Sequence, residues 1–200
     1  MVIRPASIGS PMEARGSPWA GRFINLTFIL GGIAWAVLGL LVLGNILAGL
    51  TPPNYLLGPA SSRIVAEGGP GTWFVMGILS YLLVGVAGPG LSALFYQHLE
   101  GTLGSPLKGW KDRLAWIHLT VGGGAAAAAS LIMTYAGFLA GAAYLDTSVG
   151  GGGQSVGYIH TNFLGPATQP IGALMGVALL GYLAGGIALV FGWFEARRRA

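Results

Sequence analysis

The chain has 200 residues, of which 54% are hydrophobic and 8% are charged, against roughly 25% charged in a typical soluble domain. Most of its surface is therefore expected to face lipid or other proteins. The absence of cysteine excludes disulfides, thiolate metal sites, iron–sulfur clusters and covalent c-type haem. The net charge of +4 comes from residues near the predicted helix ends, so we expect no nucleic acid partner.

Residues 1–22 contain three prolines and no apolar core, so we do not expect them to be a signal peptide. They predict an irregular cytoplasmic arm, followed by one transmembrane domain over residues 23–200. Four segments of that domain contain no charged residue, and each is longer than the about 20 residues that cross a bilayer. The predicted spans cover residues 23–50, 73–99, 114–145 and 167–194. The predicted fold class is therefore an all-α integral membrane four-helix bundle.

The ten basic residues are divided unevenly among the segments outside these spans. Nine lie before the first span, between the second and third, or after the fourth, and these segments share one side of the membrane. Only Arg63 lies on the other side. Because segments rich in lysine and arginine stay in the cytoplasm, we expect both termini to be cytoplasmic. The chain is expected to be a multi-pass protein of the cell membrane, in contact with lipid.

The second and third spans contain the least regular sequence. Pro89 lies inside the second span and predicts a kink near Gly85, one turn earlier. Eight small residues, 122–129, follow one another in the third span. Because small side chains allow helices to approach closely, we expect this span to be the central helix. The external loop 146–166 contains four consecutive glycines and is expected to be flexible unless a partner orders it.

Two histidines are the candidate cofactor-binding residues. His98 closes the second span and His118 lies about one turn into the third, so the short loop between them places both at similar depth. Two imidazoles arranged in this way can ligate a b-type haem inside a helix bundle. The alternative is that each histidine hydrogen-bonds a backbone carbonyl, a lipid headgroup or the nearby Glu100.

No other pattern predicts a reaction. All six acidic residues lie in loops or at helix ends, whereas pumps and coupled transporters usually hold charged side chains at membrane depth. The few hydroxyl and amide groups inside the spans do not combine a nucleophile, a base and an oxyanion donor. We therefore expect no catalytic residue and no metal site. A small transporter or channel stays as an alternative, because broken and glycine-rich helices occur there.

Four stretches carry a resemblance to a known group: LSALFYQHLEG at 91–101, LAWIHL at 114–119, MTYAGFLAGAA at 133–143 and IHTNFLGP at 159–166. Together they resemble small four-helix membrane proteins found with archaeal haem–copper terminal oxidases, some of which look like a fragment of the catalytic subunit. That subunit needs sets of haem- and copper-ligating histidines. This chain has three histidines, none in those arrangements, so the resemblance implies that any oxidase chemistry belongs to a partner.

The expected function is thus that of a non-catalytic accessory subunit of a respiratory electron-transfer complex, a terminal oxidase, with no resident cofactor. Its glycine- and alanine-rich helices are expected to pack against larger membrane subunits. The first alternative is a membrane anchor subunit that binds haem b or quinone through His98 and His118. The second alternative is the small transporter or channel.

Overall fold

The computed structural model describes residues 16–50 and 58–199. Four long helices account for most of this part of the chain: α1 (Pro18–Leu50), α3 (Gly71–Thr102), α4 (Trp110–Tyr144) and α5 (Val156–Arg199). A short helix, α2 (Ser61–Glu67), precedes α3, and a single 3₁₀ turn (Thr147–Val149) follows α4. No strand is present in the described ranges. The four long helices are long and apolar enough to cross a membrane, as predicted.

The first helix begins earlier than predicted. Pro18 occupies its first position, where a missing N–H costs nothing, and the Ser17 hydroxyl oxygen accepts a hydrogen bond from the Ala20 N–H at 3.0 Å. This is an N-cap, which satisfies one of the donors that a helix start leaves free. Residues 18–22, which we predicted to belong to the irregular arm, are therefore helical. Residues 1–15 of that arm lie outside the described residues.

The last helix also begins earlier, at Val156 rather than at residue 167. The Ser155 hydroxyl accepts from the Tyr158 N–H at 3.3 Å and caps its start. A π-helical turn, His160–Leu164, precedes Pro166, which has no N–H to donate to the regular helical ladder. Much of the predicted external loop 146–166 is thus helix, and the wide turn allows that helix to continue past a proline.

The glycine run between α4 and α5 is not the flexible segment that we expected. The N–H groups of three of these glycines, 151–153, donate over 2.8–3.0 Å to the carbonyls of Asp146, Ala142 and Leu145, in the last turn of α4 and just after it. A Cβ at Gly151 would lie 2.0 Å from the Leu145 carbonyl oxygen, so only glycine allows this approach. Hydrogen bonds from Ser148 also hold the pKa of Asp146, at the start of this run, below its usual value. The backbone N–H groups of the glycine run therefore satisfy carbonyl groups that the end of α4 leaves without helical partners.

Helix α3 is irregular at the place near Gly85 where we predicted that Pro89 causes a kink. Residues Tyr81–Ala87 form a π-helical turn directly upstream of Pro89, and the helix then continues to Thr102. The wider turn accommodates the carbonyl group that Pro89 cannot bond. At Gly85 this turn lies against α4, where an added Cβ would be 3.5 Å from the Ala127 Cα.

The small-residue helix α4 is the central helix of the bundle, as predicted. Within an apolar 18-residue window of each helix, 50% of the residues are buried in α4 and 11% in α1. Its glycines contact the backbones of both neighbours: a Cβ at Gly137 would lie 2.1 Å from the Phe74 nitrogen of α3. On the α5 side, a Cβ at Gly181 would lie 2.3 Å from the Gly122 nitrogen. The glycine- and alanine-rich face of α4 is therefore used within the chain itself.

Candidate functional site

The polar side chains of the described residues concentrate at the end of the bundle that carries most of the basic residues. Glu100, near the end of α3, accepts hydrogen bonds from the Ser17 hydroxyl, the Leu107 N–H at 3.0 Å and the Trp19 N–H at 3.4 Å. The Ser17 N–H donates to the Gln97 side chain at 2.9 Å. One carboxylate thus joins the start of α1, the end of α3 and the loop that leads to α4.

Trp19 extends this network to α4. Its indole N–H donates to the Asp112 carboxylate at 3.1 Å, and its ring lies edge-on to Trp116 with centroids 5.3 Å apart. The Arg22 guanidinium lies 4.4 Å from the Trp19 ring and 4.9 Å from the Trp116 ring. A cation close to two aromatic rings is favourable, so Arg22 stabilises this corner, and it forms no ion pair with an acidic residue in ranges 16–50 and 58–199.

An ion pair between a buried lysine and a partly exposed glutamate joins α4 to α5 at the same end. The Lys111 ammonium contacts the Glu195 carboxylate, and the two side chains are 6% and 42% exposed. Arg199 lies 3.9 Å from the same carboxylate. The charge of Lys111 is stabilised mainly by this pair, because the lysine has little access to water. Glu195 has access to water and also lies near Arg199.

His118 lies deeper, in the interior of the bundle, and is 5% exposed. Its Nδ1 is 3.1 Å from the Tyr96 hydroxyl and its Nε2 is 3.5 Å from the Ser92 hydroxyl oxygen. The Ser92 hydroxyl already donates to the Gly88 carbonyl, so it can only accept from Nε2–H. We therefore assign the neutral tautomer with the proton on Nε2 and with Nδ1 accepting from Tyr96.

Ring and backbone contacts enclose the imidazole. The Phe23 ring centroid is 4.8 Å from that of His118, and the Tyr182 ring is edge-on at 5.6 Å. On the α5 side, a Cβ at Gly185 would lie 2.1 Å from Nδ1. An axial ligand needs a free nitrogen lone pair with open space in front of it. The packing around His118 leaves no such space, and a haem there would require α5 to move away.

The other predicted ligand has different surroundings. His98 is exposed and lines a groove between α3 and α5, together with Phe95, Leu189 and Trp193. It shares no hydrogen bond with His118. The fold therefore does not bring the two histidines to a common space between helices, although they lie near the same end of the bundle.

The remaining polar groups are engaged in the structure of the chain. In residues 16–50 and 58–199, every buried side-chain nitrogen and oxygen has a hydrogen-bond partner. The same ranges contain no group of three or more His, Asp or Glu side chains that could hold a metal ion. His160 is exposed on the first turns of α5. The buried polar groups of the described residues are thus all hydrogen-bonded.

Two features of this site were absent from the sequence-based prediction. Tyr96, which contacts His118, lies between Phe95 and Gln97, and no sequence pattern indicates which of the three side chains points into the bundle. The Lys111–Glu195 pair joins residues 84 positions apart, so only the fold reveals it. One signal was available: the Ser17-Pro18 step is a typical helix start, and it indicates that Trp19 belongs to α1.

The fold and the site define a class: an all-helical chain with four potential membrane-spanning helices and a polar network fastening one end. No family model, no curated protein and no solved structure matches this chain.

Proposed function

We propose that this chain is a non-catalytic accessory subunit of a membrane electron-transfer complex, a terminal oxidase, held in the cell membrane with both termini in the cytoplasm. The observation that carries the proposal is a set of glycines on open helix faces. Four glycines are exposed and have no other described part of the chain within 4 Å of an added Cβ: Gly32 and Gly39 of α1, and Gly172 and Gly176 of α5.

Open glycines suit a helix partner better than lipid. Small residues in transmembrane helices let a neighbouring backbone approach closely, and residues four apart lie on one face. Gly172 and Gly176 are spaced in this way on α5. The corresponding residues of α4 are covered by α3 and α5, so α1 and α5 are the helices available to larger subunits.

The polar groups support the same proposal. An accessory subunit needs polar residues only to fasten its own helices, and this is what Glu100, Lys111 and His118 do. The exposed aromatic side chains Trp35 and Tyr135, 79% and 65% exposed at mid-helix, offer further contact area. The resemblance of residues 91–101, 114–119, 133–143 and 159–166 to oxidase-associated proteins supplies the kind of partner.

Replacing Gly176 with leucine is expected to release the chain from its larger partners without unfolding it. The new side chain meets open space in this chain but would hold a partner helix away. The measurement is co-purification of a haem-containing complex from the organism's own membranes. The control is Val177→Leu, at an exposed neighbouring position that already carries a large side chain. Equal recovery of partners with both variants, or none with the wild-type chain, would count against the proposal.

The haem alternative is tested in the same complex. His98→Ala and His118→Ala are both expected to leave the haem content per complex unchanged. His118→Ala should lower stability by about 2 kcal/mol, because it leaves a buried Tyr96 hydroxyl unpaired and opens a cavity, whereas the exposed His98 should tolerate the change. The measurement is the reduced-minus-oxidised absorption spectrum with iron content. A b-type band lost in either variant would establish the anchor alternative instead.

The orientation is tested with single cysteines, which have no background here because the chain contains none. Thr102→Cys lies at the exposed end of α3 and Ser148→Cys in the exposed connection between α4 and α5. With an impermeant thiol reagent on intact cells, we expect labelling at 148 and none at 102. Permeabilised cells should label both. The reverse pattern in intact cells would invert the proposed topology.

A further inference from the structure

A groove of about 220 Å³ lies between the end of α3 and the last turns of α5. Apolar side chains form most of its walls, and His98 is its one titratable residue. The lining residues are Phe95, His98, Leu99, Leu103, Leu189, Val190 and Trp193. This groove is separate from the contacts of the open glycines, which lie on α1 and nearer the start of α5.

The groove crosses the level at which the helices change from apolar to charged. Phe95 and Leu189 lie within apolar stretches, whereas Glu100 and Glu195 are the next charged residues along α3 and α5. Tryptophan is enriched at the depth of lipid headgroups, and Trp193 lies at this boundary. One part of the groove therefore lies among acyl chains, and its mouth lies among headgroups.

The mouth of the groove has unpaired positive charge. The Arg197 guanidinium lies 4.2 Å from the ring of Trp193, which is one wall. Within the described part of the chain Arg197 forms no ion pair, while the nearby Glu195 contacts both Lys111 and Arg199. The acid at this position is thus already neutralised, and Arg197 remains to attract an anion.

We propose that this groove binds one anionic phospholipid, with an acyl chain along Leu189 and Val190 and the phosphate at Arg197 and His98. The apolar walls alone would not select a lipid, because every groove in a bilayer is filled by acyl chains. The selection comes from the charge at the mouth, as in other basic pockets between transmembrane helices. Each basic residue near an anionic headgroup changes the affinity about fivefold.

Native mass spectrometry of the purified chain tests this site with phosphatidylglycerol and phosphatidylcholine of identical acyl chains. The wild-type chain is expected to retain one phosphatidylglycerol in preference to phosphatidylcholine. Arg197→Gln should reduce that preference about fivefold. The control Arg113→Gln removes the same charge from an exposed position at the same end of the bundle, outside the groove, and should leave it unchanged.

A second variant tests the groove rather than the charge. Val190→Trp fills it from an exposed position and should abolish the preference, whereas Leu180→Trp, also exposed on α5 but outside the groove, should not. Equal retention of the two lipids by the wild-type chain would overturn the proposal. So would equal losses with Arg197→Gln and Arg113→Gln, since that result indicates general attraction to a basic surface.

Discussion

Replacing Gly181 with alanine is expected to destabilise the folded chain by about 3 kcal/mol, the upper end of what overpacking normally costs. The added Cβ would lie 2.3 Å from the Gly122 nitrogen and 2.4 Å from its Cα. These are backbone atoms of α4, so no side chain can rotate away, and the two helices must separate. The measurement is the thermal unfolding midpoint of the purified chain in detergent.

The matched control is Gly176→Ala on the same helix. A Cβ there meets nothing within 4 Å, and alanine favours a helix over glycine by up to about 1 kcal/mol. Its midpoint should equal or exceed that of the wild-type chain. Gly137→Ala, against the Phe74 backbone, should behave like Gly181→Ala. Similar midpoints for the buried and open glycines would mean that α4 is not packed between α3 and α5 as described.

The second large effect concerns the ion pair between α4 and α5, and it is asymmetric. Glu195→Ala is expected to lower the thermal unfolding midpoint more than Lys111→Met does, because it leaves the ammonium of Lys111 buried and unpaired. Lys111→Met should cost less than about 1 kcal/mol. It keeps the apolar part of the side chain, and the carboxylate that remains is 42% exposed and lies near Arg199.

The thermal midpoints of the two single variants and of the double variant measure this asymmetry. The double variant should be more stable than Glu195→Ala alone, since removing the lysine removes the buried charge. If the two single variants lost equal stability, Lys111 would have access to water, and the burial of this pair would be refuted.

Much of the fold was predictable because membrane insertion imposes simple rules on sequence. The length and apolarity of the four segments were sufficient to locate the helices, and the eight small residues of 122–129 identified the central one. The helix starts were less accurate. Ser17 and Ser155 each cap a helix that extends outside its apolar stretch, and hydropathy does not detect a cap.

The site was less predictable, for a physical reason. We predicted similar depths for His98 and His118 from their positions along the spans. That position does not determine which face of its helix each side chain occupies. The fold turns His118 toward Tyr96 and His98 toward the surface. A π-helical turn, His118–Gly123, also interrupts the regular α-helix of α4, and no residue pattern predicted it. The glycine run was misjudged because its hydrogen bonds depend on the carbonyls at the end of α4.

The Lys111–Glu195 pair also constrains the order in which the chain can be completed during synthesis. A ribosome makes Lys111 at the start of α4, and its partner is made 84 residues later. Until then Lys111 lacks the carboxylate that it contacts in the folded chain, so its ammonium group has to stay in contact with water. The first three long helices can pack against one another early, but the bundle closes only when α5 has been made. A chain that ends before Glu195 would therefore leave Lys111 without its carboxylate partner and α4 without its contact to the last turns of α5.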